Sequence, residues 1–172
     1  MVDSLRQPGI PYPRLPLPTN GEEDLVAFQQ WLEAAIPMVS ELGIRRMDQE
    51  SEVLSWQLAL ADSLNDKGTG FGGALAAQTT LQGWCWVTLW LRQQGMQQDV
   101  VVAEASQRFM APVTEDYRMI CTSEDPKGAE ILAAKLQARG KGSIVLRHQL
   151  YCGDLLCMEA SGRYAVLPVS PE

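Results

Sequence analysis

Histidine is nearly absent from this chain: His148 is the only one in 172 residues. A single imidazole makes a histidine-based metal site hard to assemble. None of the four cysteines (Cys85, Cys121, Cys152 and Cys157) stands in a C-x-x-C pair, so zinc-site spacings are missing as well. No metal and no cofactor is expected. Positive charge is also short, with 14 Lys and Arg against 21 Asp and Glu and a formal net charge of −7. A duplex-binding module needs a basic footprint, so nucleic acid is not an expected partner. Long apolar runs are missing too. The nearest, Ala74 to Leu91, is interrupted by Gln78, Thr79, Thr80, Gln82 and Thr88, too polar for a lipid-facing helix. The first 18 residues carry Pro8, Pro11, Pro13, Pro16 and Pro18 and lack the apolar core of an export signal. A cytoplasmic chain with no membrane partner is expected. In that compartment Cys152 and Cys157, which flank a turn, are expected as reduced thiols.

What is present reads as an extended arm over 1–20 followed by one domain over 21–172. The prolines remove backbone donors and keep the arm out of helix. Glu22 to Leu42 then has helical spacing, with Leu25, Phe28, Trp31, Leu32 and Ile36 on one stripe. Asn20 is its expected cap, and Pro37 should kink or end it. Leu54, Trp56, Leu58 and Leu60 alternate with smaller or polar residues, as a half-buried strand does. A second helix, roughly Gly72 to Gln94, is apolar nearly all round, so most of its circumference must be covered. Strand patterns follow at Val100–Phe109, Tyr117–Thr122, Ser143–Tyr151 and Leu155–Leu167, with a short helix over Ala129–Ala138. The turn Cys152-Gly153-Asp154 makes the last two strands a hairpin. This is an α+β order, in which one long helix serves as the core for a curved sheet.

Chemistry concentrates at Asn65-Asp66-Lys67-Gly68-Thr69-Gly70-Phe71-Gly72-Gly73, at the entry to the second helix. Four glycines in six residues cost backbone entropy, so the loop needs positive φ or the close approach of another group. Gly72 and Gly73 also open a helix, where unbonded N–H groups and the positive dipole end favour an oxygen anion. The string Asn65-x-x-Gly68-x-x-Phe71-Gly72-Gly73 is similar to the signature of hot-dog thioesterases. With Leu64 before it and Gly83-Trp84 on the helix, it resembles the YiiD C-terminal thioesterase family more closely still. Phe109-Met-Ala-Pro-Val113 with Asp116, and the last strand around Ala160–Val166, fit the same likeness, which spans about Gln30 to Pro168.

The resemblance implies an α+β hot-dog fold: an antiparallel five- to six-stranded sheet wrapped around a long buried helix, with an extra N-terminal helix. It implies hydrolysis of an acyl thioester carried by coenzyme A or acyl carrier protein, in a site between subunits of a homodimer or dimer of dimers. On that reading the amides of Gly72 and Gly73 hold the oxyanion. Asn65 orients a water or the thioester, and Lys67, Gly68, Thr69 and Phe71 contact substrate. Two departures stand out. Phe71 replaces the signature's histidine, and Thr80 occupies the place of the expected helix acid. Asp66 is then the leading carboxylate for activating water, with Thr80 as a residue that positions it. His148 is expected to point inward, and Trp84, Trp86 and Trp90 to be core. A non-catalytic acyl-thioester-binding module is the competing reading. A hydratase would need Asp and His in one site, for which His148 lies far from the loop in sequence.

Overall fold

The structure, a computed structural model, describes residues 6–171. Helix α1 runs Leu25–Ala35 and is followed by a 3-10 turn at Pro37–Glu41. Strands β1 (Ile44–Glu50) and β2 (Val53–Leu58) precede the long helix α2 (Gly72–Gln93). Then come β3 (Val100–Phe109), β4 (Tyr117–Ser123), α3 (Gly128–Arg139), β5 (Gly142–Cys152) and β6 (Leu155–Val166). The strands form one antiparallel sheet in the order β1-β2-β4-β5-β6-β3. Its inner face packs on α2, so the hot-dog architecture is present with six strands.

Helix α1 is shorter than its periodicity suggested, because Pro37 cannot continue it. Its cap is Asp24 rather than Asn20: the Asp24 carboxylate accepts from Ala27 N at 3.0 Å. Asn20 Oδ1 accepts from Glu22 N instead. Phe28 and Leu32 are buried, while Ile36, past the helix end, is partly exposed.

Strand β1 escaped the alternation test for a physical reason. Its register shifts between Ile44 and Arg46, so the buried residues fall at Ile44 and Met47 and break the period of two. Arg45 and Arg46 lie exposed along this edge, where charge discourages pairing with foreign strands.

Helix α2 contributes Leu75, Cys85, Trp86, Val87, Leu89 and Leu91 to the core. A Cβ on Gly83 would overlap the ring of Tyr164, so glycine at mid-helix lets β6 seat that tyrosine against the helix backbone. Tyr164 OH donates to Thr80 O at 2.8 Å. Two of the polar residues that interrupt the run, Gln78 and Gln82, donate to backbone carbonyls of the surrounding chain. Gln78 Nε2 donates to Leu42 O at 2.8 Å, and Gln82 Nε2 donates to Met119 O at 2.9 Å. Tyr117 OH donates to Gln78 Oε1 at 2.7 Å, and burial lifts its pKa to about 12. These glutamines satisfy buried groups that would otherwise each cost about 1–3 kcal/mol. Among the described residues no helix is long and apolar enough to cross a membrane.

The proline-rich arm, in its described part, is fastened to the helices. Trp31 Nε1 donates to Pro13 O at 2.9 Å. Arg92, near the C-terminal end of α2, donates to the carbonyls of Leu15 and Pro16 and to both carboxylate oxygens of Glu23, at 2.7–3.0 Å. Both partners of that ion pair are buried, with side chains 6% and 7% exposed.

Candidate active site at the start of the central helix

The glycine loop is shaped by Asn65. Its Oδ1 accepts from Lys67 N at 2.9 Å and Thr69 N at 3.0 Å, and its Nδ2 donates to Thr69 Oγ1 at 2.9 Å. The amide therefore acts as a template for a tight turn, which Asn side chains do by mimicking backbone. Gly68 sits at φ +73°, and a Cβ on Gly70 would lie 2.8 Å from the Cβ of Val113. Both explanations open in the sequence apply, at different positions. The close neighbour of Gly70 is the chain itself: Gly70 N donates to Val113 O at 2.8 Å. Asp116 accepts from Leu60 N at 2.9 Å and so ties the Pro-Val segment to the end of β2.

Phe71 caps α2 without a side-chain hydrogen bond. Its N–H donates to Ser63 O at 2.7 Å, and the first bond of the helix runs from Leu75 N to Phe71 O at 3.0 Å. The N–H groups of Gly72, Gly73 and Ala74 precede that bond, so they have no partner within the helix. The ring of Phe71 folds over Gly73, half exposed, where the thioesterase signature has histidine.

From Gly73 a stripe of α2 stays uncovered although the rest of the helix is buried. Gly73, Ala77, Thr80, Leu81 and Trp84 recur at helical spacing and are exposed or half-exposed. Ala76, Ala77, Thr80, Leu81 and Trp84 form one wall of a groove of about 550 Å³. Val102, Ala105 and Gln107 of β3 form the other, with Ile36 at the lip. The lining is apolar except at Thr80 and Gln107. Gln107 carries no residue pattern that distinguishes it in sequence, because its place on the groove depends on strand β3 docking against α2.

The other expected site residues fall as follows. Thr80 is on the groove. Gly72 and Gly73 are at the helix start that leads into it. Asp66 and Lys67 lie on the outer side of the loop, paired at 3.0 Å with side chains 79% and 75% exposed. Gly68 and Thr69 are within the turn that Asn65 organises. Among the described residues, no Asp, Glu, His or Cys lines the groove. Trp86 and Trp90 are core, whereas Trp84 belongs to the groove wall. Cys85 and Cys121 are buried, and burial pushes their thiols well above the ordinary range, away from thiolate chemistry. Cys152 and Cys157 are free thiols.

His148 lies in the core, with Nδ1–H donating to Gln82 Oε1 at 3.0 Å. Burial lowers its pKa from 6.5 to about 4, so the ring is neutral in the folded chain at pH 7. In the unfolded chain it titrates near 6.5, so below that pH the unfolded state takes the proton first. Stability from this group is complete above pH 6.5 and falls as pH drops towards 4, by about 3 kcal/mol in all. Urea unfolding of the wild type against His148→Gln across that window is expected to show the variant lacking this part of the acid slope.

Comparison with known proteins supports the same architecture. A protein from Shewanella oneidensis described as a "putative thioesterase" superposes with a TM-score of 0.74 at 28% identity, over 84% of this chain and 97% of that one. A protein of unknown function from Chlorobaculum tepidum gives 0.75 at 24% identity, over 83% and 93%. A thioesterase from Haemophilus influenzae shares the fold at 16% identity, with a TM-score of 0.68 over 86% and 93%. Residues 25–168 match the family model described as "Putative thioesterase (yiiD_Cterm)", and this chain, with its glycine turn leading into a groove along the central helix, belongs to that family.

Proposed function

We propose that the chain hydrolyses an acyl thioester carried by coenzyme A or acyl carrier protein. One observation carries this reading: three unbonded backbone amides open a helix whose uncovered stripe is an apolar groove. An acyl thioester has complementary parts, a carbonyl oxygen for the amides and a tail for the groove. Water attacks the carbonyl carbon, and the carbonyl electrons move onto an oxyanion held by Gly72 and Gly73 N–H. Collapse of the intermediate breaks the carbon–sulfur bond and expels the thiolate, which takes up the proton that Asp66 removed from the water. Thr80 and Gln107, the two polar groups on the groove, hold the water. Asp66 accepts its proton. An exposed ion pair such as Asp66–Lys67 contributes little, so the carboxylate can leave Lys67 at small cost. Lys67, Thr69 and Phe71 are assigned to contacts with the carrier, as is the backbone at Gly68.

The functional unit is proposed to be a homodimer joined along β3. That strand is a sheet edge, ten residues long, paired among the described residues to β6 alone, with Val101, Val102 and Phe109 exposed at 42–55%. A long apolar edge of this kind is a template for pairing, and a second copy would cover it and the open side of the groove.

The absence of an acid from the groove lining favours a second reading, a module that binds acyl thioesters without cleaving them. Steady-state hydrolysis of an acyl-CoA panel separates the two. Asp66→Asn is expected to lower kcat by about 10²–10⁴-fold with KM little changed, as loss of a general base does. Thr80→Val is expected to cost about tenfold through a misplaced water. Wild-type kcat in Asp66→Asn would move the proton to another group. Binding without turnover in the unsubstituted protein would establish the non-catalytic module.

A further inference from the structure

The uncovered stripe of α2 ends at an aromatic wall. Beyond Trp84 the next residue on the stripe, Thr88, belongs to a separate small cavity of about 90 Å³. Trp84 borders both spaces, with the 550 Å³ groove on one side and this cavity on the other. Its indole is held on two sides. Nε1–H donates to Val100 O at 2.8 Å, and Trp31 of α1 stacks on it with ring centres 6.4 Å apart and planes at 15°. Trp31 in turn grips the arm through Pro13 O, and the arm is held to the end of α2 by the buried Arg92–Glu23 pair. Helix α1 and the arm thus form a fixed support behind one side chain.

We propose that Trp84, braced by Trp31 and the N-terminal arm, is the stop that sets the longest acyl chain this groove accepts; the inference rests on the hydrolase reading of the groove. Gly73 and Trp84 are eleven residues apart on α2, about 16 Å at 1.5 Å per residue. Helical side chains lean back towards the N-terminus, which shortens the usable length to roughly 12 Å. With carbon–carbon bonds of about 1.5 Å in a zigzag, that length holds an acyl chain of on the order of ten carbons. Longer tails must bend out past Ile36 into solvent or displace the tryptophan pair. Removing the indole merges the groove with the cavity around Thr88 and lets the chain continue along the helix.

The test is equilibrium binding of non-hydrolysable S-hexyl, S-decyl and S-hexadecyl coenzyme A thioethers to the full chain, by calorimetry. In the wild type, affinity is expected to rise from hexyl to decyl and to gain nothing further at hexadecyl. Trp84→Ala should bind the hexadecyl thioether on the order of tenfold more tightly than the wild type does, with hexyl binding little changed. Trp84→Phe, which keeps an aromatic ring in the groove wall, should give a smaller shift of the same sign, and it serves if the alanine variant does not fold. Trp31→Ala should follow the same direction through loss of the brace. A wild type that binds hexadecyl more tightly than decyl overturns the stop, as does an unchanged length profile in Trp84→Phe and Trp31→Ala. Failure of the wild type to bind any thioether would instead overturn the assignment of the groove to an acyl chain.

Discussion

Replacing Gly72 by proline is expected to lower kcat about 10²–10³-fold while leaving the fold intact. The expectation follows from the place of Gly72 as the first residue of α2. Proline is well accepted there, because its fixed φ suits a helix and the N–H it lacks has no partner within the helix. The preceding residue, Phe71, already has φ −71° and ψ 119°, the extended conformation that a following proline demands. A Cβ at this position meets only the Phe109 ring, at an ordinary 3.6 Å. The substitution therefore removes one donor from the proposed oxyanion site and little else. Gly72→Ala is the control: it adds the Cβ and keeps the N–H, so its kcat should stay within a few-fold of the wild type. Thermal unfolding of both variants near the wild-type midpoint would show that the loss is chemical. If Gly72→Pro turns over at the wild-type rate, Gly72 N–H takes no part in stabilising the oxyanion.

Truncating Arg92 to alanine is expected to destabilise the chain by about 3–5 kcal/mol, the usual cost of leaving one partner of a buried ion pair alone. The guanidinium is 6% exposed and makes four charge-assisted hydrogen bonds. Its removal strands the Glu23 carboxylate in a site only 7% exposed and frees the carbonyls of Leu15 and Pro16. Against a total stability of roughly 5–15 kcal/mol for an ordinary domain, this is a large fraction. Urea unfolding would register it as a lower midpoint with an unchanged slope. A paired replacement, Arg92→Met with Glu23→Leu, should recover part of the loss, since two apolar side chains need no counter-charge. Full recovery is not expected, because the two arm carbonyls still lack their donor. A single variant that costs less than about 1 kcal/mol would mean that the clasp behaves as a solvated surface pair.

Much of the architecture was legible in local patterns. Ala74 to Leu91 is apolar nearly all round, which demands a cover of strands, and four downstream strands alternate clearly enough to supply it. Pro37 and Gly72 marked where helices stop and start. Strand β1 was not legible, since a bulge at Ile44–Arg46 breaks the period on which the reading depends. The cap at Asp24 was missed because Asn20, Asp24 and the intervening acids are all credible caps by type, and only the packing of α1 selects one. Glu23, placed by sequence in a favourable first turn, is instead the buried partner of Arg92, 69 residues away in the chain.

The glycine turn and the family resemblance named Asn65, Asp66, Gly72, Gly73 and Thr80 as candidates; of these, Thr80 lines the groove and Gly72 and Gly73 open the helix that borders it. No local pattern pointed to Gln107, and although Gly83-Trp84 belonged to the family likeness, nothing local placed Trp84 on the groove rather than in the core with Trp86 and Trp90. On a helix greasy on every side, periodicity does not tell which stripe the sheet will leave bare.

By itself, the sequence determined that a long apolar helix would be enclosed and that it would begin at a glycine-rich turn, whereas the hydrogen bonds by which Asn65 shapes that turn are known only from the structure. The enclosure and the turn follow from residue type and near-neighbour spacing, which act over a turn or two of chain. Tertiary structure alone decided that the stripe from Gly73 to Trp84 stays open, that Gln107 joins Thr80 in lining the groove, and that the arm is clamped behind Trp31. Those depend on contacts between residues far apart in sequence, where small shifts in strand register or helix rotation change what meets what.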